Sequence, residues 1–188
     1  MDKSTVCSMA LNAIGKADYA GGTPGGEACD LYFGHVYAEL LSKHDWSFAR
    51  RIVTLAADDE GRYTIPPDCL RIVELVGLRN WRIYGTKIHP ELEAEAEGRV
   101  EIIYTSSQLA DRGELPDRCR AFIQAVVLKL AATLAAAVAH DDRKSDLFEG
   151  LALRALREAM TLDTQQDNSN DQHPLNRMLD NSITRGGF

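Results

Sequence analysis

Side chains able to do chemistry are present in this chain but scattered. The five histidines are His35, His44, His89, His140 and His173. None stands in an HExxH or HxE…CxxC arrangement, and no GxSxG turn offers a serine nucleophile. The carboxylates of ELEAEAEG alternate at Glu91, Glu93, Glu95 and Glu97. A cation loop needs carboxylates that converge around a glycine at a fixed place, and this run lacks that pattern. It reads as a solvated loop or edge. A small hydrolase drawing acid and base from these carboxylates is the enzyme alternative open to the chain. His140-Asp141-Asp142 has metal-ligand residue types, but a helix end followed by a charged turn accounts for it more simply. Adjacent His44 and Asp45 say nothing about geometry. No catalytic, cofactor or metal residue is expected.

Other motifs are equally bland. The glycines of GKADYAGGTPGGEA do not end in Gly-Lys-Ser/Thr and follow no strand, so they read as a flexible loop rather than a phosphate cradle. Cys7, Cys29, Cys69 and Cys119 are far apart with no CxxC pair. Three of them fall in apolar patterns, which favours free buried thiols in a reducing compartment. A net charge of -7 over 188 residues argues against a general binder of phosphate backbones. Arg112, Arg118 and Arg120 cluster, but Asp111, Glu114 and Asp117 dilute them. A small DNA-packaging or nucleic-acid-associated factor is therefore the weaker alternative. The N-terminus MDKSTVCSMALNAIG lacks the charged and long apolar regions of a signal peptide.

The elements that must position these groups are clearer. CRAFIQAVVLKLAATLAAAVAH, residues 119–140, is the longest apolar run. Phe122, Val126, Leu130, Leu134 and Val138 recur in it at helical spacing, and alanines at 131, 132, 135 and 136 admit a close neighbour. About 20 apolar residues also suffice to cross a bilayer. Lys129 at the midpoint would cost roughly 2.5–3.5 kcal/mol there, so a buried helix is expected. A first helix over 4–14 puts Val6, Met9, Ala10, Ala13 and Ile14 on one side, with Gly15 as its stop. A second, over 27–43, is apolar at Leu31, Val36, Leu40 and Leu41. Trp46 and Phe48 should plug the bundle end. Arg50 and Arg51 read as solvated or ion-paired, with an acidic partner as the sharper option.

From Ile52 the composition turns to strands. The turn at Pro66-Pro67-Asp68, the run from Leu70 to Leu78, the hairpin WRIYGTKIHP with Gly85-Thr86 at its tip, and RVEIIYTSS make a small antiparallel unit. A fourth helix is expected to be capped by Ser145 and to run to Leu162, with Leu147, Leu151, Ala155, Leu156, Ala159 and Leu162 inward. From Asp163 the chain is polar and amide-rich, and cannot bury enough to fold alone. The fold class is thus α+β: mainly a helical bundle of about four helices (1–51 and 107–163), an inserted antiparallel β domain (52–106), and an extended or disordered C-terminal arm (164–188).

Several segments, in order, resemble a known family. They are ALNAIGK, ELLSKHDWSFARRIVTLA, YTIPPDCLRIVEL, VEIIYTSS and FIQAVVLKLAATLA. Together they are similar to the tail tubular protein A family, the head-to-tail adaptor of short-tailed bacteriophages and prophages. The combination HDWSFARR…YxIPxDCLR is the most specific part, and the similarity spans about residues 5–163. The resemblance implies a structural virion protein, not an enzyme and without cofactors, assembled in the host cytoplasm. It implies a homo-oligomeric ring, usually of twelve copies, between the portal protein and the tail nozzle or other tail proteins. DNA would pass through the channel without specific binding, and no membrane is involved. In such adaptors the C-terminal arm docks on the portal, which here nominates Leu175, Met178, Leu179, Ile183 and Phe188.

Overall fold

A computed structural model describes residues 1–78, 80–91 and 98–167. Five helices and two small antiparallel sheets make up the described residues, so the fold class is α+β. Helix α1 (Lys3–Ala13) opens on Asp2, whose carboxylate accepts from the Thr5 amide at 3.0 Å. It closes at Gly15, which is left-handed with φ 80°. The amides of Gly15 and Lys16 donate back to Asn12 and Leu11 at 3.0 and 2.9 Å, satisfying the last carbonyls as a glycine stop requires.

Helix α2 (Pro24–Ser42) starts earlier than the glycine content suggested. Thr23 caps it, its Oγ1 accepting from the Gly26 amide at 3.1 Å, and Pro24 holds the first helical position. Two glycines read as loop therefore lie in its first turn. Gly26 is required there: a Cβ would collide with the Ala20 carbonyl oxygen. Val36, Leu40 and Leu41 face the core as expected, while Leu31 is 70% exposed. Met9 and Ala13 of α1 also point outward.

Helix α4 (Arg120–Ala137) is the centre of the helical part, with α1, α2 and α5 (Asp142–Asp167) packed on it. Phe122, Val126, Leu130 and Leu134 are fully buried, as are Ala131 and Ala135. Among the described residues α4 alone is long and apolar enough to span a membrane, and 56% of that window is buried inside the protein. Its Lys129 donates to Glu149 of α5 at 2.7 Å. The short α3 (Gln108–Arg112) precedes it.

The turn into α5 differs from expectation in two ways. His140 takes a left-handed φ of 51°, ending α4. Asp141, not Ser145, caps α5, accepting from the Lys144 amide at 3.0 Å. Helix α5 then continues to Asp167, past the point where an extended arm was expected to begin. Ala152, Ala155, Leu156 and Ala159 are buried, Leu151 is half-buried, and Leu147 and Leu162 are exposed. The inward stripe sits to one side of those two leucines because α5 packs chiefly against α4. The remainder of the expected arm, including Leu175, Met178, Leu179, Ile183 and Phe188, lies outside the described residues.

The strands form two sheets rather than one unit. Central β6 (Arg99–Ser106) pairs with β1 (Arg50–Ala56) and β3 (Cys69–Val76). β5 (Lys87–Pro90) lies between β2 (Tyr63–Thr64) and β4 (Trp81–Tyr84). The hairpin tip falls where expected, with Tyr84 opposite Lys87 and Gly85 at φ 60°. A second core of Tyr63, Leu75, Leu78, Ile88, Val100, Ile102 and Tyr104 belongs to the sheets.

Candidate functional site

Aromatic side chains fix the end of the helical core where α4 begins. Trp46 is fully buried and packs edge-on to Phe122, ring centroids 4.6 Å apart. Phe48 and Tyr37 stack on the same Phe122 at 5.1 and 5.7 Å. The Trp46 indole donates to the Leu40 carbonyl at 3.1 Å, so its polar handle is satisfied where the ring is dry. The Tyr37 hydroxyl donates to the Glu114 carbonyl at 2.8 Å, and burial pushes its pKa up.

Beside this cluster lies a buried carboxylate. Asp163 of α5 is 1% exposed. It accepts from the Ser47 amide at 3.1 Å and from the Ser47 hydroxyl at 2.6 Å. His44 Nε2 stands 3.3 Å from the same carboxylate. Serine, histidine and aspartate meet here, but the wiring is not that of an activated nucleophile. The Ser47 hydroxyl donates to the Asp163 carboxylate, and His44 meets that carboxylate rather than the hydroxyl. The cluster is a clamp that ties the last turns of α5 to the loop entering β1. Sequence reading placed Asp163 at the start of a polar tail. Its signal was a carboxylate continuing the stripe of Ala152, Ala155, Leu156 and Ala159.

A cavity of about 340 Å³ opens next to the clamp. Phe122, Ala159, Leu162 and Asp163 form its walls, with Arg118 and Arg120 at the start of α4. Of the diluting carboxylates, Asp117 pairs with the N-terminal ammonium of Met1. Arg50 pairs with Asp45 at 2.9 Å, so its ion-paired reading is the one observed.

A second lock lies where β6 leads into α3. Asp68 accepts from Ser106 Oγ at 2.7 Å and Tyr104 Oη at 3.2 Å. Burial alone would raise its pKa, but these hydrogen bonds outweigh burial and hold it below the usual carboxylate value. The Ser107 amide donates to the Asp68 carbonyl at 2.8 Å, and the Ser106 amide to the Ala49 carbonyl at 2.9 Å. YTIPPDCL and VEIIYTSS meet at this point.

The remaining chemical residues stay apart. His35 is exposed, and His89 packs edge-on to Tyr84 at 4.9 Å. His173, Glu93, Glu95 and Glu97 lie outside the described residues. Glu91 pairs with Arg82 at 2.6 Å. Among the described residues no three of His, Cys, Asp or Glu converge on one point. The four cysteines are free, Cys7 and Cys29 fully buried and Cys69 and Cys119 half-buried. Burial pushes the Cys69 thiol up to about 11 and raises that of Cys119.

No family model matches this chain, and no curated protein is significantly similar to it.

Proposed function

We propose that the chain is a structural head-to-tail adaptor of a phage or prophage virion. In this reading copies form a ring, of twelve by the family resemblance, between the portal and the tail proteins. The observation that carries the reading is the ordered set of segments from ALNAIGK to FIQAVVLKLAATLA, with HDWSFARR and YTIPPDCLR as its most specific members. Those two segments supply Trp46, Phe48 and Asp68, which tie the helices to each other and to the sheets. An adaptor needs a rigid block carrying docking surfaces, and both locks serve rigidity rather than turnover.

The four long helices act as a bundle forming the wall of the ring, with the β part inserted between α2 and α3. A net charge of -7 would leave DNA free to slide, since like charge does not grip phosphates. The C-terminal segment with Leu175, Met178, Leu179, Ile183 and Phe188 reaches the portal. The protein works in the virion, without enzymatic activity or cofactor and away from membranes.

Co-sedimentation with purified portal rings tests the reading. The full chain is expected to travel with the rings, and a version ending at Asp167 is expected to keep its fold and lose attachment. Equal binding by both versions would remove the arm's role. No binding by the full chain would remove the adaptor reading.

A further inference from the structure

Two helix faces of this chain carry an exposed leucine and glycine at the same spacing, each preceded by a charge of opposite sign. On α2 the positions are Glu27, Leu31, Gly34 and Ala38; on α5 they are Arg143, Leu147, Gly150 and Arg154. Both series step by four, three and four residues, which keeps each on one side of its helix. Leu31 and Leu147 are 70% and 59% exposed, and are the two most exposed leucines among the described residues. Glu27, Arg143 and Arg154 are exposed and make no ion pair among the described residues.

The glycines are the least expected members. A glycine inside a helix costs about 1 kcal/mol relative to alanine. A Cβ at Gly34 or at Gly150 would meet nothing within 4 Å, so neither is needed for packing within one chain. A bare backbone beside an exposed leucine suits the close approach of another helix.

We infer that the α2 face of one copy packs on the α5 face of the next, with Gly34 facing Gly150. In parallel register this places Leu31 against Leu147, and Glu27 against Arg143. The direction follows from the fold. Helix α1 runs alongside α4, with Met1 paired to Asp117 and the Ile14 carbonyl reached by Lys144 at 3.5 Å. Helix α2 runs back along α1, with Lys3 on Asp30 at 2.6 Å and Leu11 against Gly25. Helix α5 runs back along α4. Hence α2 and α5 point the same way. A twelvefold ring turns each copy by only about 30° from its neighbour, so the two helices stay parallel across the contact. Because the faces differ, the contact is head-to-tail, the kind that closes rings. Ring closure and the parallel register rest on the adaptor reading; the pairing of the two faces does not.

Cross-linking tests the pairing. Copies of the full chain carrying Gly34→Cys are mixed with differently tagged copies carrying Gly150→Cys, at several hundred micromolar, and treated with a short bismaleimide. Both substitutions enter open space, so folding is retained. The unaltered chain gives the background from Cys69 and Cys119, and Gly34→Cys with Glu158→Cys, about two turns further along the same α5 face, is the register control. The mixed pair is expected to exceed both by about tenfold, to fall on adding Glu27→Arg, and to recover when Arg143→Glu joins it, as charge pairing requires. Background yield overturns the inference. So does Gly34–Gly34 cross-linking as strong as the mixed product, which would mean a two-fold contact. Either failure leaves portal co-sedimentation intact, whereas failure of the adaptor reading abolishes portal binding and leaves this cross-link in place.

Discussion

Asp163 shows how one side chain sets local architecture. It is a carboxylate in a dry place, held by the Ser47 amide and hydroxyl. Removing it forfeits both hydrogen bonds, but their donors sit on the exposed Ser47 and can turn to water, so the loss is about 1 kcal/mol. Asp163→Ala is therefore expected to lower denaturant stability by about that amount. Asp163→Asn, which keeps one acceptor oxygen, should lose less. An unchanged midpoint for Asp163→Ala would show that the clamp holds nothing. Asp68 makes the matching statement about pH. Its folded pKa lies below the ordinary value of 3.8. Its stabilisation is thus present above the unfolded value and lost as pH falls through the folded one. Acid unfolding should steepen below about pH 4, and Asp68→Asn should flatten that limb while costing about 1 kcal/mol at neutral pH. A parallel acid limb in the variant would assign the effect elsewhere.

Helices and strands test how far a glycine can be judged from its element. Gly34→Ala adds a Cβ to open space on α2 and should raise monomer stability by about 0.5–1 kcal/mol. Gly26→Ala should destabilise, because its Cβ meets the Ala20 carbonyl at the start of the same helix. Thermal melts of the two variants, moving in opposite directions, check both. Much of this architecture was legible in the sequence. The stripe from Phe122 to Leu134 marked α4, Gly15 marked the end of α1, and Gly85-Thr86 marked the hairpin. Local signals failed where two competed. The glycines at 21–26 mask the Thr23-Pro24 start of α2, and Ser145 is the cap the sequence suggests where Asp141 is the one observed. Burial of Asp163 was illegible for another reason: its partner Ser47 is far away in sequence, and no local pattern announces such a contact. Leu31 and Leu147 were assigned inward because helical periodicity gives a face but not which neighbours cover it.

At the scale of the whole molecule, the locks at Asp163 and Asp68 join helices and sheets, and the outward faces of α2 and α5 remain open. A rigid block with complementary sides suits repetition around an axis. In the adaptor reading proposed above, that repetition would take place below a portal. Electron cryomicroscopy of the full chain mixed with its portal ring is the most direct test. Added density is expected as a continuous ring on one face of the portal, with one copy of this chain per repeat. Portal rings left bare at saturating concentrations of the chain would contradict it.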